Sequence, residues 1–162
     1  MRPDTPYSKY LGDREPIATL RETAERIGKL TAAWTDADFE RASAPGKWTA
    51  RQLLAHLAHV EIAFGNRARM ALSTPGYVVQ PFDQDRWMER EKASGPEALN
   101  AFLGLSRMNL ALFASLSKEE LATPLSHPEQ GHITVDWILH TLAGHQVSHV
   151  AQIEQIAGRA TG

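Results

Sequence analysis

The hydrophobic residues of this chain recur mainly at intervals of three and four positions, which is the period of an amphipathic helix. Four long segments keep this period and are bounded by helix start and stop signals. The pattern predicts long helices over Arg14–Trp34, Thr49–Ser73, Ser94–Leu116 and Thr134–Ile156, with the last helix ending at Gly158. The second of them opens on Thr49 followed three residues later by Gln52, which is a capping box.

The connections between these helices carry weaker patterns. Tyr77–Phe82 is strand-like but short and interrupted by a proline, so we expect an extended connection there. A short helix is predicted around Asp83–Lys92, and Ser117–Glu120 matches a capping box for one or two further turns. Leu125–Gly131 is typical of a turn-rich loop, and residues 1–13 are expected to be extended. The whole sequence, residues 1–162, therefore predicts a single all-α domain built as a four-helix bundle.

Composition and charge narrow the functional classes. Lys and Arg number 17 against 19 Asp and Glu, so the net charge of -2 gives no basic surface of the kind that binds nucleic acid. The chain has no Cys, which excludes disulfides, a cysteine nucleophile and cysteine-ligated metals. It has neither a signal-peptide pattern nor an apolar run long enough to span a membrane. We therefore expect a cytoplasmic protein with no membrane or nucleic-acid partner.

The seven histidines divide by helical face. His145 and His149 fall within or beside the apolar stripe of the last helix, one turn apart, and His56 reaches the core boundary from the second helix. Two inward imidazoles at i and i+4 are costly unless they are hydrogen-bonded or bind a metal ion together. A hydrogen-bonded core pair and a pair of metal ligands are about equally supported by this spacing. The remaining histidines, His59, His127, His132 and His140, are predicted to face solvent.

Other polar residues near the predicted site allow two interpretations each. Glu61 lies on the inward side of the second helix and either orients a histidine or pairs with an arginine such as Arg67 or Arg69. Gln152 either lines the site or hydrogen-bonds a neighbouring helix. No general acid or base can be assigned from these patterns.

The aromatic residues beside helix starts are also ambiguous. Trp48 and Trp137 are expected to be core anchors rather than substrate contacts. Asp83, Asp85 and Trp87 either form a pocket wall or belong to a solvated short helix with an anchoring tryptophan, and we favour the short helix.

Two motifs resemble those of a known family. Lys47–Glu61, with Lys-Trp before a capped helix and Leu-x-His-Leu within it, resembles a segment of the DinB-like superfamily, which includes the YfiT-like and mycothiol-dependent isomerase proteins. His145–Ile153 is similar to its C-terminal His-x3-His-x2-Gln-Ile signature, and Gly131–Trp137 resembles the start of its last helix. The resemblance extends from about Pro16 to Gly158.

This resemblance implies an up-down-down-up four-helix bundle with a divalent metal ion held by His56, His145 and His149. It further implies nickel or zinc as the usual ion, with iron and manganese as alternatives, and a homodimer. Known activities in the family are thiol-dependent transfers and isomerisations, so a low-molecular-weight thiol is one implied partner beside a small-molecule substrate.

Three imidazole ligands leave open positions on the ion, which is the arrangement of a catalytic site. The hypothesis is a metal-dependent enzyme, either a hydrolase or a thiol-dependent transferase or isomerase, and any thiol must come from a cosubstrate because the chain has no Cys. Two non-enzymatic alternatives remain: a metal-binding bundle in which the ion only adds stability, and a metal-free dimeric interaction module.

Overall fold

The computed structural model describes the backbone of residues 2–160 and the side chains of residues 2–158. The chain forms four long helices joined by short helices and one β-hairpin. In chain order, the elements are α1 (Ser8–Leu11), α2 (Pro16–Thr31), α3 (Asp36–Phe39), α4 (Ala50–Ser73), α5 (Gln84–Arg90), α6 (Gly95–Ser115), α7 (Lys118–Leu121), β1 (Pro124–His127), β2 (Gly131–Thr134) and α8 (Val135–Ala160).

The starts of the helices follow the predicted capping signals. The side chain of Gln52 accepts from the backbone of Thr49 at 2.9 Å, and the Thr49 hydroxyl accepts from the backbone of Gln52 at 3.3 Å, so the predicted capping box begins α4. The box predicted at Ser117 begins α7 in the same way. These caps fix where α4 begins and therefore the height of the residues that follow it in the bundle.

Side-chain pairs between helices show the direction of each long helix, and they confirm the predicted up-down-down-up bundle. The pairs are Thr23–Gln146 and Arg26–Glu154 for the parallel α2 and α8, Glu61–Asn109 and Arg51 with the Ala93 carbonyl just before α6 for the parallel α4 and α6, and His56–His149 and Glu61–Gln146 for the antiparallel α4 and α8. Two neighbouring helices that run the same way require a long connection, and residues 74–94 supply it between α4 and α6.

The apolar core is divided into two halves by a polar layer. One half is built around Ile27, Leu54 and Ile153, and the other around Leu20 and Leu142. Between them, each long helix contributes at least one buried polar residue to a connected layer. The layer consists of Thr23 on α2, Glu61 on α4, Ser106 and Asn109 on α6 and Gln146 on α8. The histidine cluster described below lies beside this layer.

Four predictions of local structure are wrong. The N-terminal segment is not extended throughout, because residues 8–11 form α1 with Leu11 buried. The first long helix is Pro16–Thr31 instead of Arg14–Trp34, since Glu15 caps it through two backbone amides. The loop predicted at Leu125–Gly131 includes β1, which pairs antiparallel with β2 and buries Leu125. The last helix continues past Gly158 to Ala160.

The connection at residues 77–82 is extended, as predicted, and it attaches to the hairpin. The backbone amide of Val79 donates to the carbonyl of Ser126 at 2.8 Å, and Ser126 donates back to the carbonyl of Tyr77 at 3.0 Å. This attachment holds residues 77–82 beside the hairpin. Within the described part of the chain, no helix has both the length and the apolar character needed to cross a membrane.

Candidate metal centre

Three histidines from two antiparallel helices meet at one point of the bundle. His56 lies in the second turn of α4, and His145 and His149 lie one turn apart on α8. His56 and His145 are buried and His149 is half-buried. The helical faces predicted this convergence, and the structure brings the three rings together.

The ring nitrogens that meet are all Nε2. The Nε2 atom of His145 is 2.9 Å from that of His56 and 3.1 Å from that of His149. Two nitrogens that bind one metal ion at about 2.0–2.1 Å lie roughly 2.9–3.4 Å apart, depending on the angle at the ion. The two separations therefore have the size expected of ligands to a single ion.

Hydrogen bonding alone cannot satisfy all three nitrogens. The carboxamide oxygen of Gln152 can only accept, so the 2.7 Å contact with Nδ1 of His149 places the ring proton on Nδ1 and a lone pair on Nε2. His145 must then donate its Nε2 proton to His149, which leaves no lone pair to accept from His56. The contact between His145 and His56 is then left with two opposed protons or with none of its own, depending on the tautomer of His56, whereas a cation would satisfy three lone pairs.

Burial keeps the rings neutral. It lowers the pKa of His56 to about 3, with added repulsion from His149 and His59. It also holds the pKa of His145 well below the ordinary value, and it lowers the pKa of His149, where the hydrogen bond to Gln152 acts in the opposite direction. Neutral imidazole is the form that binds metal ions, so the donor set fits a divalent cation at neutral pH.

The outer nitrogens of the three rings differ in support. Nδ1 of His149 donates to Gln152, whereas Nδ1 of His56 and Nδ1 of His145 are buried without a hydrogen-bond partner among the described residues. Ligating histidines usually donate their second nitrogen to an oxygen that fixes the ring. Of the two interpretations of Gln152, lining the site is therefore the one the structure supports.

Aromatic rings pack on the two unsupported histidines. The Trp48 ring lies 5.1 Å from the His56 ring, and the Tyr7 ring meets the His145 ring edge-on at 5.1 Å. Trp48 is thus a wall of the site as well as a core contact. Sequence reasoning missed Tyr7, whose signal was Gly144 inside the last helix: a Cβ there would stand 2.6 Å from the Tyr7 carbonyl oxygen.

An open cleft of about 560 Å³ gives access to the cluster from the side of His149. Its wall includes Ser43, Lys47, Trp48, Gln152 and Gln155. This volume is within the range of small-molecule sites. The cluster contains three ligand groups within the described part of the chain, so the coordination sphere of an ion would be completed from the cleft.

Glu61 neither orients a histidine nor pairs with an arginine, so both predicted interpretations are wrong. Its carboxylate accepts from Nδ2 of Asn109 at 2.6 Å, from Nε2 of Gln146 and from Ser106. Burial raises the pKa of Glu61 to about 7 in spite of these bonds. Arg69 instead donates to Oδ1 of Asn109 at 2.7 Å. The prediction failed because the partners of Glu61 lie on two other helices, and a projection of a single helix does not include them.

Three histidines that were predicted to face solvent are buried. His59 contacts Glu91 at 2.8 Å and the Trp87 ring at 5.3 Å, both from the segment that covers α4. His127 accepts from the backbone amides of the hairpin turn, and His140 turns back onto the carbonyl and carboxylate of Asp136. None of them belongs to the metal-ligand cluster.

Other predictions agree with the structure. His132 is exposed, as predicted. Asp83 caps α5, on which Asp85 lies exposed and Trp87 anchors the short helix by packing on Phe82, so the predicted short helix is present. Asp83 and Trp87 also line a surface cleft, so the pocket-wall interpretation holds for these two residues as well. The Trp137 indole donates to the Asp4 carbonyl at 3.0 Å while its ring packs on the core.

Known proteins are similar to this chain in sequence and in architecture. A relative from Oceanobacillus iheyensis, named a candidate metal-dependent hydrolase, is 26% identical over 86% of this chain and 82% of its own length. A second relative from that organism with the same description is 28% identical over 70% of this chain and 67% of its own length.

Solved structures match the fold. The structure of YfiT from Bacillus subtilis, described as a candidate metal-dependent hydrolase with an unusual four-helix bundle topology, matches with a TM-score of 0.80 at 24% identity and covers 99% of this chain and 94% of its own. A mycothiol-dependent maleylpyruvate isomerase matches with a TM-score of 0.67 at 18% identity, over 93% of this chain and 61% of the isomerase chain.

A sequence model of the DinB superfamily matches residues 19–153, a span that includes His56, His145 and His149. The match also covers all of α4 and α6 and most of α2 and α8. The chain therefore belongs to the DinB superfamily.

Proposed function

We propose that this protein is a metal-dependent hydrolase whose divalent ion is held by the Nε2 atoms of His56, His145 and His149. The observation that carries the proposal is the pair of 2.9 and 3.1 Å contacts among three ring nitrogens that cannot share enough protons to bond with one another. Relatives named as candidate metal-dependent hydrolases support the same activity.

The open cleft favours a catalytic role over a purely stabilising one. A structural metal site usually closes its coordination with a fourth protein ligand, whereas a catalytic site leaves a position for water or substrate. The cluster has three ligand groups in the described part of the chain, and the cleft reaches it from outside. A non-catalytic metal-binding bundle would have no use for this access.

The residues around the site have separable tasks. The hydrogen bond from His149 to Gln152 fixes the tautomer that presents a lone pair to the ion. The rings of Trp48 and Tyr7 pack against the rings of His56 and His145, which are buried. Lys47 adds a positive charge at the wall of the cleft, where an anionic substrate group would be attracted. A bound divalent ion supplies Lewis acidity, which polarises a substrate oxygen and makes water more acidic.

The ion is proposed to be zinc or nickel, with iron and manganese as alternatives. Imidazole nitrogen is a suitable ligand for several divalent transition metals, so the ligand set narrows the ion to this group. The substrate is proposed to be a small molecule. We further propose a homodimer located in the cytoplasm, which sedimentation of the purified protein and imaging of a tagged copy would test.

A second candidate function is thiol-dependent isomerisation or transfer at the same centre. It is supported by the structural match to a mycothiol-dependent isomerase and by the size of the cleft. Because the chain has no Cys, the thiol would be a cosubstrate that enters through the cleft. The two functions differ in one requirement: isomerisation or transfer needs an added low-molecular-weight thiol and hydrolysis does not.

Metal removal and reloading test the proposal. Zinc- and nickel-loaded protein, protein stripped with dipicolinate, and reloaded protein would be assayed on a panel of p-nitrophenyl esters, with and without an added thiol. We expect one ion per chain, and hydrolysis that is lost on stripping and restored on reloading. Full activity in protein with less than about 0.1 equivalent of metal would contradict the proposal, and turnover that requires the thiol would favour the second candidate.

A further inference from the structure

A second polar site lies on α4, away from the histidines. Arg67 follows His56 by eleven residues, which places it about 16 Å further along the helix. It is 7% exposed, although arginine is among the residues that are least often buried. The metal centre and Arg67 are therefore separate features of the same helix.

The Arg67 guanidinium has no hydrogen-bond acceptor and no carboxylate within ion-pair distance among residues 2–158. Its neighbours are aromatic: its Cζ atom lies 5.0 Å from the centre of the Phe64 ring and 5.8 Å from that of Phe82. The face of an aromatic ring attracts a cation. It does not accept the five guanidinium N–H protons, because these point outward in the plane of the guanidinium. None of the Arg67 nitrogens is among the fully buried, unpartnered side-chain atoms of the described residues, so the guanidinium is still accessible to a ligand from solvent.

Arg67 lines a cleft of about 400 Å³ between α4 and residues 80–87. Its wall includes Ile62, Gln80, Phe82 and Trp87. Ile62 is 45% exposed and Trp87 is 37% exposed, so apolar side chains of the cleft wall are open to solvent. The cleft therefore combines a flat apolar wall with unused cationic donors, and its volume is within the range of small-molecule sites.

The charged groups near Arg67 do not neutralise it by direct contact, so its positive charge is available to an anion. Burial lowers the pKa of Arg67, while Tyr77 and Glu129 favour its charged form without contacting it as an ion pair. His127, on the hairpin side, has its pKa lowered by burial and by Arg67. Asp83 also lines the cleft, but its carboxylate accepts from two backbone amides at the start of α5 and lies 3.6 Å from Arg86.

We propose that this cleft binds a small carboxylate with an apolar body, whose two oxygens pair with the Arg67 guanidinium while its body lies on Phe82 and Trp87. Planar carboxylate oxygens match the guanidinium edge and provide the acceptors that Arg67 lacks. The exposed aromatic and aliphatic wall favours a ligand with an apolar ring or chain over a bare inorganic anion.

Binding of phenylacetate to the metal-loaded protein tests the proposal. Calorimetry measures the affinity, and the Trp87 indole resonance, assigned with Trp87→Phe, reports the location of the ligand. We expect phenylacetate to shift that resonance and to bind at least about tenfold more tightly than 2-phenylethanol, its uncharged analogue, or inorganic phosphate. Equal affinity for 2-phenylethanol, equal affinity for phosphate, or an unmoved Trp87 resonance would each overturn the proposal.

Two variants separate Arg67 from general effects of charge. Arg67→Lys keeps the charge but loses the planar pair of donors, and we expect an affinity for phenylacetate lower by about tenfold. Arg90→Gln removes an exposed arginine of α5 that does not line the cleft, and it should retain the affinity of the natural protein. Neither variant should change the metal content. Unchanged affinity in Arg67→Lys, or an altered molecular mass in solution in place of an altered affinity, would overturn the assignment and point to a subunit interface.

Discussion

Two polar regions lie next to each other in this bundle, and they have opposite designs. The histidine cluster and the layer around Glu61 use neighbouring positions of the same helices: His145 is followed directly by Gln146. In the layer, each acceptor oxygen of Glu61 meets a donor from another helix. In the cluster, the Nε2 atom of His145 lies close to the Nε2 atoms of His56 and His149, and it cannot form a hydrogen bond with both of them.

The comparison shows which property marks a site. Both regions are polar and largely buried, and each contains a residue whose pKa is displaced by burial: His56 in the cluster and Glu61 in the layer. The layer is complete without a ligand and is closed between two halves of the core, so its role is to tie four helices together. The cluster is incomplete without a cation and opens to a cleft. A functional site is therefore indicated by polar groups whose partners the chain does not supply, and not by burial alone.

The largest predicted effect is on metal binding. His145→Ala removes the nitrogen that lies close to both of the others, so we expect the affinity for zinc to fall at least about a thousandfold, or roughly 4 kcal/mol. Competition with a chromophoric chelator measures it. His132→Ala, which changes an exposed histidine, is the matched control, and an equal loss in both variants would contradict the assignment.

The next effect is on stability and concerns the layer. Asn109→Leu keeps a side chain of similar size but removes a donor to Glu61 and an acceptor for Arg69, so we expect the free energy of unfolding to fall by about 3 kcal/mol. Urea unfolding of metal-free protein measures it, with Asn100→Leu on the exposed side of α6 as control. The metal stoichiometry should stay at one per chain. If Asn109→Leu kept the free energy of unfolding of the natural protein but no longer bound zinc, the layer would be part of the metal site and not a separate region.

The two regions should also respond to pH with opposite sign. The folded-state pKa of His56 is about 3 against an ordinary 6.5, so the unfolded chain binds more protons below pH 6.5 and metal-free protein loses stability as the pH falls. At pH 5 this amounts to about 2 kcal/mol for one ring. Glu61 has a folded-state pKa of about 7 against 4.5, so its contribution is lost as the pH rises through that window.

Unfolding of metal-free protein between pH 5 and pH 7 separates these contributions. Because burial lowers the pKa values of three histidines and raises that of one carboxyl group, we expect a net gain in stability with rising pH. Glu61→Gln should make this gain steeper, since it removes the opposing contribution. An unchanged profile in Glu61→Gln would mean that the carboxyl group is ionised throughout this range in the folded protein, which would contradict the raised pKa.

The smallest predicted effect concerns the orientation of one ligand. Gln152→Leu removes the oxygen that holds the Nδ1 proton of His149, and we expect a loss of about 10- to 100-fold in zinc affinity. Gln155→Leu changes a glutamine of the same cleft that makes no contact with a histidine ring, and it should leave the affinity unchanged. Equal affinities in the two variants would show that packing alone orients His149.

Much of this arrangement could be predicted from the sequence. The long helices follow from their hydrophobic period, the start of α4 from the Thr49 box, and the convergence of His56, His145 and His149 from their positions on helical faces. These features depend on spacing within a helix, which the sequence states directly.

The features that were missed depend on contacts between elements. His59 lies opposite the apolar stripe of α4, yet Glu91 and Trp87 cover it from a connecting segment that no helical projection includes. The donors to Glu61 come from α6 and α8, so its partners follow from the relative height of three helices. The hairpin is only four residues on each side, too short for its alternation to be distinguished from a loop.

X-ray absorption spectroscopy of zinc-loaded protein measures the ligands of the proposed centre. We expect one zinc per chain with three imidazole ligands at about 2.0–2.1 Å and at least one oxygen ligand that exchanges with added small anions. A centre with fewer than three imidazoles, or one closed by a fourth ligand from the chain, would contradict it.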